Sequence, residues 1–127
     1  ADGIHSIFLA DVDLDGDVDI LSASENDDTI AWYENDGAAN PSWIAVDIDT
    51  SADSARDVLA SDVDGDGDID LVSASYNDDT IAWYENNGAV NPSFSAAKWG
   101  EHGDWKHAGA INSTSLDVLC IFPTLQI

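Results

Sequence analysis

An all-β fold of two β-propeller blades, each a four-stranded antiparallel sheet, is what this sequence predicts, and three observations predict it. The chain repeats itself at an offset of 51 residues without a gap, so that residues 26–35 recur unchanged as residues 77–86. Within each copy, short runs of β-branched and aromatic residues alternate with clusters of Asn, Asp and Gly, the pattern of strands and tight turns. No segment carries the 3.6-residue apolar period of a helix. Residues 1–51 and 52–102 are the two full repeats, and residues 103–127 are a divergent partial repeat or assembly tail.

The first copy sets the element order. A strand over residues 6–10 runs into an acidic loop, and a second strand over 18–24 is rich in branched apolar residues. Glu25, Asn26, Asp27 and Asp28 then form a turn with the composition of a tight hairpin. The third strand, 29–35, sets Ile30 and Trp32 on one side and Ala31 and Tyr33 on the other. Both sides are apolar, so this strand expects cover on both faces. Gly37 and Pro41 mark the next loop, 43–48 is the fourth strand, and 49–54 is a polar link to the second copy. Four antiparallel strands recurring about every fifty residues, apolar on both faces, describe blades stacked face to face. At these fixed positions the Trp and Tyr residues serve inter-blade packing in preference to sugar stacking.

The chemistry lies between the first two strands. Asp11-Val12-Asp13-Leu14-Asp15-Gly16-Asp17-Val18-Asp19 sets five aspartates on alternate positions with glycine sixth. It recurs as Asp62-Val63-Asp64-Gly65-Asp66-Gly67-Asp68-Ile69-Asp70. So many like charges repel unless a cation sits among them, and calcium takes six to eight oxygen ligands. A tight loop aims the side chains of its first, third, fifth and ninth residues inward and adds the carbonyl of the seventh. Glycine at the sixth permits the sharp turn. A solvated acidic loop or a string of Asx turns has the same composition. Alternation with Val, Leu and Ile, and recurrence at equivalent places, favour the ion. An EF-hand is excluded, because Ser22 and Ser73 stand where its glutamate belongs and the flanks are strands. A calcium-binding β-helix would carry the nonapeptide in every turn.

Composition narrows the partners. The 127 residues carry a net charge of -23, from 26 acidic residues against 3 basic ones, and 44% are hydrophobic. That apolar content supports a core despite the charge. Nucleic acid and anionic membranes are excluded as partners, since both call for basic patches. Self-repulsion is strong, and bound cations relieve it. Cys120 is the single cysteine, which rules out a disulfide framework and reads as a small apolar strand residue. No apolar run is long enough to insert in a membrane. The chain starts at Ala1 without methionine, which points to a processed or excised product.

Residues 1–102 resemble the integrin α-subunit type of propeller repeat, the FG-GAP or VCBS-like repeats. The likeness rests on Asp-x-Asp-x-Asp-Gly-x-x-Asp between the first two strands. It implies a calcium-stabilised blade with that loop as the metal site, and so two Ca2+ per chain. Carried over by position, the ligands are Asp11, Asp13, Asp15 and Asp19 with the carbonyl of Asp17. The second set is Asp62, Asp64, Asp66 and Asp70 with the carbonyl of Asp68. The Phe-Gly and Gly-Ala-Pro that name the family are missing, and Ser22-Ala23-Ser24 stands in place of the latter. Integrin-style adhesion is therefore not carried over. A further offset of 51 brings the loop onto Ser113, Ser115, Asp117, Leu119 and Ile121, which have lost it, although 116–122 still reads as a strand. His102 and His107, near Lys98 and Lys106, read as surface residues of a Gly-rich linker rather than as a site.

Two blades do not close a ring, since propellers use four to eight. The expectation is a homo-oligomer, most simply three chains giving six full blades, with residues 103–127 at the joins. Ile30, Trp32, Ile81 and Trp83 are expected on the bare outer faces of a single chain. The function expected is that of a non-enzymatic, calcium-stabilised module outside the cell or at its surface. It would act as a structural, adhesion or glycan-binding unit, with a carbohydrate or a protein as ligand. The alternative is a fragment of a larger propeller-containing glycan-active enzyme, because some lyases and lipases resemble this family. Against it, the sequence has no Ser/His/Asp set and no nucleophile elbow. Its carboxylate spacing fits metal ligation better than acid–base work.

Overall fold

The structure, a computed structural model, describes residues 1–99. The end of the second repeat, the segment 103–127 with its strand at 116–122, and His102, Lys106, His107 and Cys120 lie outside the described residues. Strands β1 (Ile4–Ala10), β2 (Asp19–Ser24), β3 (Thr29–Asn35) and β4 (Trp43–Asp49) form one sheet. Strands β5 (Ala55–Ser61), β6 (Asp70–Ser75), β7 (Thr80–Asn86) and β8 (Phe94–Trp99) form the other. Each is an antiparallel meander, in the orders β1-β2-β3-β4 and β5-β6-β7-β8, as expected of blades.

Three strand ends differ from expectation. β1 begins at Ile4 because the ladder continues past a register shift between Ile4 and Ser6, and β5 repeats the shift between Ala55 and Asp57. β2 begins after Val18, whose carbonyl accepts a hydrogen bond from Asn35 Nδ2 at 3.0 Å. β4 runs on to Asp49, which pairs with Ile30 across a second register shift. The β2–β3 and β6–β7 turns hold Asp28 (φ 54) and Asp79 (φ 49) in the left-handed region. Aspartate tolerates that conformation better than most residues.

The core lies between the sheets. It joins Leu21, Ala23, Ile30 and Trp32 of the first sheet to Val58, Leu71, Ala82 and Tyr84 of the second. Trp32 meets Phe94 edge to face, with ring centroids 6.3 Å apart. The sheets therefore meet by different faces. The first contributes its Ile30/Trp32 side, and the second the side of Ala82 and Tyr84, which alternate with Ile81 and Trp83 along β7. Ile30 and Trp32 are thus buried between the sheets rather than on an outer face. Both faces of the repeat are apolar, so the sequence alone does not say which face meets the neighbouring copy.

Polar contacts lock this joint. Arg56 pairs with Glu25 at 2.6 Å, and Lys98 with Asp49 at 2.7 Å. Tyr84 Oη donates to Asp49 Oδ2 at 2.8 Å. The link between the sheets, polar in sequence, buries Ala52 and Ser54. Their N–H groups donate to the Asp28 carbonyl at 2.9 Å and to Asp28 Oδ1 at 2.8 Å. Burial works to raise the Asp49 carboxyl, but hydrogen bonds from Lys98, Ser51 and Tyr84 outweigh it and hold the group at about 2.

Asp49→Asn should therefore cost roughly 1.5–3 kcal/mol at neutral pH, the range for a hydrogen bond to a charged group. The folded value lies below the ordinary 3.8. The stabilisation is thus present above that value and is lost as pH falls toward about 2. Urea denaturation of both proteins across pH checks this, and their difference should shrink through that window.

Candidate metal centres

Both acidic loops bridge adjacent strands, β1 to β2 and β5 to β6. In the first, one carboxylate oxygen from each of Asp11, Asp13 and Asp15 lies within 4.8 Å of the others. In the second, Asp62, Asp64 and Asp70 converge in the same way. Calcium–oxygen distances of about 2.3–2.6 Å put two ligands of one ion up to about 5 Å apart, so either trio can share a cation.

Backbone N–H groups shape the loops. Asp11 Oδ2 accepts from Gly16 at 3.0 Å, Asp13 Oδ1 from Asp15 at 3.3 Å, and Asp15 Oδ1 from Asp17 at 2.8 Å. Asp62 and Gly67, at 3.0 Å, repeat the first of these, and Asp66 accepts from Asp68 at 2.9 Å. Asp11 Oδ1 is buried and takes no hydrogen bond among the described residues. A buried carboxylate oxygen left unpaired is costly, and a cation among the three carboxylates would satisfy it. The residues present fit a hard divalent ion.

The ninth positions do something further. Asp19 is fully buried, with Oδ2 accepting from Val12 N–H at 3.0 Å and Oδ1 from Asn35 N–H at 2.9 Å. Asp70 is held likewise, by Val63 at 3.1 Å and Asn86 at 2.8 Å. These carboxylates fasten the start of each loop to the end of β3 or β7. Asp19 stands outside the first trio and Asp66 outside the second, so three of the four expected side chains converge in each loop. The carboxylates of Asp17 and Asp68, residues expected to offer their carbonyls, lie against Gly37 and Gly88.

Sequence reasoning missed four supporting residues. Asn35 Oδ1 accepts from Gly37 N–H at 3.0 Å, while Asn35 Nδ2 binds the Val18 carbonyl. Asn86 repeats this with Gly88 at 2.9 Å and with Ile69, and also reaches the Val12 carbonyl of the first loop at 3.4 Å. Gly37 (φ +68) and Gly88 (φ +69) are left-handed, and a Cβ on either would collide with Asp17 or Asp68. The signal was present: both Asn residues fall within the identical ten-residue segment, and both Gly residues share a repeat position.

Electrostatics report the crowding. Burial pushes the Asp13 carboxyl up to about 6, against a backbone hydrogen bond from Asp15, with Asp15, Asp19 and Glu34 adding repulsion. Asp64 is raised by burial and by its neighbours Asp70 and Asp66. Asp70 is raised by burial despite the N–H groups of Asn86 and Val63.

A family model described as FG-GAP-like repeat matches residues 11–73 and 62–118. With two acid-looped, four-stranded sheets in tandem, the chain belongs to the FG-GAP-like repeat family. No curated protein and no solved structure matches it.

Gly88→Ala should destabilise the fold by at least about 1 kcal/mol, since the left-handed backbone and the Asp68 collision both penalise it. A shift in the urea midpoint checks this. A second outcome concerns protons. Asp13 sits above its ordinary 3.8, so without metal its contribution is fully present below that value and is lost as pH rises through about 6. Metal-free protein should lose stability over that interval, and Asp13→Asn should flatten the profile measured in EDTA.

Proposed function

We propose that the chain is a calcium-stabilised, extracellular β-propeller module acting as a structural, adhesion or glycan-binding unit, with its ring completed by further copies. The observation that carries the reading is Asp11 Oδ1, buried and without a hydrogen bond among the described residues, beside the carboxylates of Asp13 and Asp15. Calcium fits better than magnesium, which demands near-octahedral geometry and keeps most of its waters. An ion bound only by the folded loop stabilises by mass action, about 2.7 kcal/mol per site at one hundred times the dissociation constant. The reading is of a binding and structural module rather than an enzyme.

Calcium affinities of about 10⁻⁴–10⁻³ M, typical of extracellular modules, suit such loops outside the cell. Among the described residues, no helix is long and apolar enough to cross a membrane. A groove of about 240 Å³ opens where the first loop meets the β7–β8 connection, lined by Val12, Asp13, Leu14, Asp68, Asn86 and Val90 among others. Carboxylates and an amide beside apolar side chains suit sugar hydroxyls and ring faces, which supports the glycan-binding reading.

Calorimetric titration should show two calcium ions per chain, and EDTA should lower the melting temperature. Asp13→Asn and Asp64→Asn should each remove one site and lower stability in calcium. The sites should also differ. Leu14 is held left-handed (φ 60) where the second loop has Gly65 (φ 79). That conformation costs an L-residue roughly 1–2 kcal/mol, so the second loop should bind more tightly and Leu14→Gly should narrow the gap. Absence of saturable uptake would overturn the reading.

A further inference from the structure

One side chain touches both acidic loops. Asn86, at the end of β7, is 5% exposed. Its N–H donates to Asp70 Oδ1 at 2.8 Å, and its Oδ1 accepts from Gly88 N–H at 2.9 Å. The two hydrogens on Nδ2 divide between the loops. One goes to the Ile69 carbonyl at 2.9 Å and the other to the Val12 carbonyl at 3.4 Å.

Both carbonyls stand directly before a candidate ligand. A carbonyl and the next residue's N–H share one planar peptide unit. Holding the Ile69 oxygen therefore orients the start of Asp70, and holding the Val12 oxygen orients the start of Asp13. Asp70 belongs to the trio of the second loop and Asp13 to that of the first. Asn86 thus fixes one ligand-bearing peptide unit in each candidate metal centre.

We propose that Asn86 couples the two centres, so that an ion held in either loop raises the affinity of the other. The inference concerns the regulation of the proposed calcium sites and rests on that reading. Asn86 acts in it as a positioning residue.

The first loop can receive such a signal because its second residue belongs to the joint between the sheets. Val12 is fully buried, in the cluster that also holds Val58, Leu71, Ala82 and Tyr84 of the second sheet. Its N–H is held too, by Asp19 Oδ2 at 3.0 Å. Val63, its counterpart in the second loop, is half-buried. Asn35, the counterpart of Asn86, reaches the Val18 carbonyl of its own loop and, among the described residues, nothing in the second.

Two effects of opposite sign act between the centres. Two bound cations repel, which opposes filling both loops. One divalent ion offsets only two of the 23 net negative charges, and physiological salt screens its field beyond roughly 8 Å. Ordering acts the other way and needs no field. An ion in the second loop draws Asp70 and its peptide into place, and with them the amide that holds Val12. At 3.4 Å that last bond is long for an N–H donor and has room to shorten. Linkage makes the effect equal in both directions, and a single bond sets it at the low end of site-to-site coupling, about five-fold.

Calcium titrations at physiological salt measure the coupling. Asp64→Asn leaves the first loop to bind alone, and Asp13→Asn leaves the second. The ratio of the two-ion constant to the product of these single-loop constants is then compared across three backgrounds. It should be about five-fold larger in wild type than in Asn86→Ala. Asn35→Ala, which removes the matching contacts within the first loop, should weaken binding and keep the wild-type ratio. The charge changes are the same in every background, so they drop out of the comparison. Circular dichroism checks that each variant folds. A second readout leaves Asn86 intact. In the Asp64→Asn protein, calcium in the first loop should slow hydrogen exchange of the Gly88 N–H, which rests on Asn86 Oδ1. Equal ratios in wild type and Asn86→Ala, or Gly88 exchange indifferent to calcium, overturn the inference and leave the calcium reading standing. So does a ratio that falls as far in Asn35→Ala, since loop disorder alone would then explain the loss. Failure of either loop to take up calcium overturns both.

Discussion

Each sheet of this chain is apolar on both sides, and a sheet with two apolar sides needs two neighbours. Among the described residues each sheet covers one side of the other. The cover is directional: the Leu21, Ala23, Ile30 and Trp32 side of the first sheet meets the Val58, Leu71, Ala82 and Tyr84 side of the second. Interiors pack densely and specifically, so this pairing fixes the relative position of the two acidic loops. It also explains the use of scarce cations. The chain has only three lysines and arginines. Two of them, Arg56 and Lys98, reach from the second sheet to carboxylates of the first, Glu25 and Asp49.

The acidic loops obey a second constraint, that a buried carboxylate must be satisfied. At Asp19 and Asp70 the backbone does this, with two N–H groups binding each side chain. These residues act as fasteners between loop and strand. At Asp11, Asp13 and Asp15 the N–H groups order the loop without neutralising it, and burial and mutual repulsion raise Asp13 to about 6. Protons or a divalent cation can relieve that repulsion, and the two compete. Loop order and sheet order are coupled through Asn35 and Asn86, which hold the loop carbonyls of Val18 and Ile69 at the ends of β3 and β7.

The same residues that join the sheets shape a groove beside the first loop. Asn86 touches its own loop through Ile69 and the neighbouring loop through Val12. The groove lined by Val12, Asp13, Asp68 and Asn86 therefore exists only when both sheets and both loops are in place. Its walls combine carboxylates and an amide with apolar side chains, and it opens beside a candidate metal centre.

Much of this was legible in the residues. The 51-residue repeat, the alternating strands, the Asn/Asp turns and the two aspartate nonapeptides are local patterns. Local patterns report local geometry, so the two four-stranded sheets and the acidic loops follow from them. The convergence of Asp11, Asp13 and Asp15 follows as well, because a nine-residue loop with glycine sixth has few ways to fold. Only the tertiary structure decided which face of each sheet is covered, because a period of two marks two faces without naming the neighbour of either. It also decided that Asp19 serves as a fastener while Asp70 does so and joins its trio. It gave Asn35 and Asn86 their roles, and it buried the polar link at Ala52 and Ser54. Each of these depends on a contact between residues far apart in the chain, and such contacts form only when the two sheets pack.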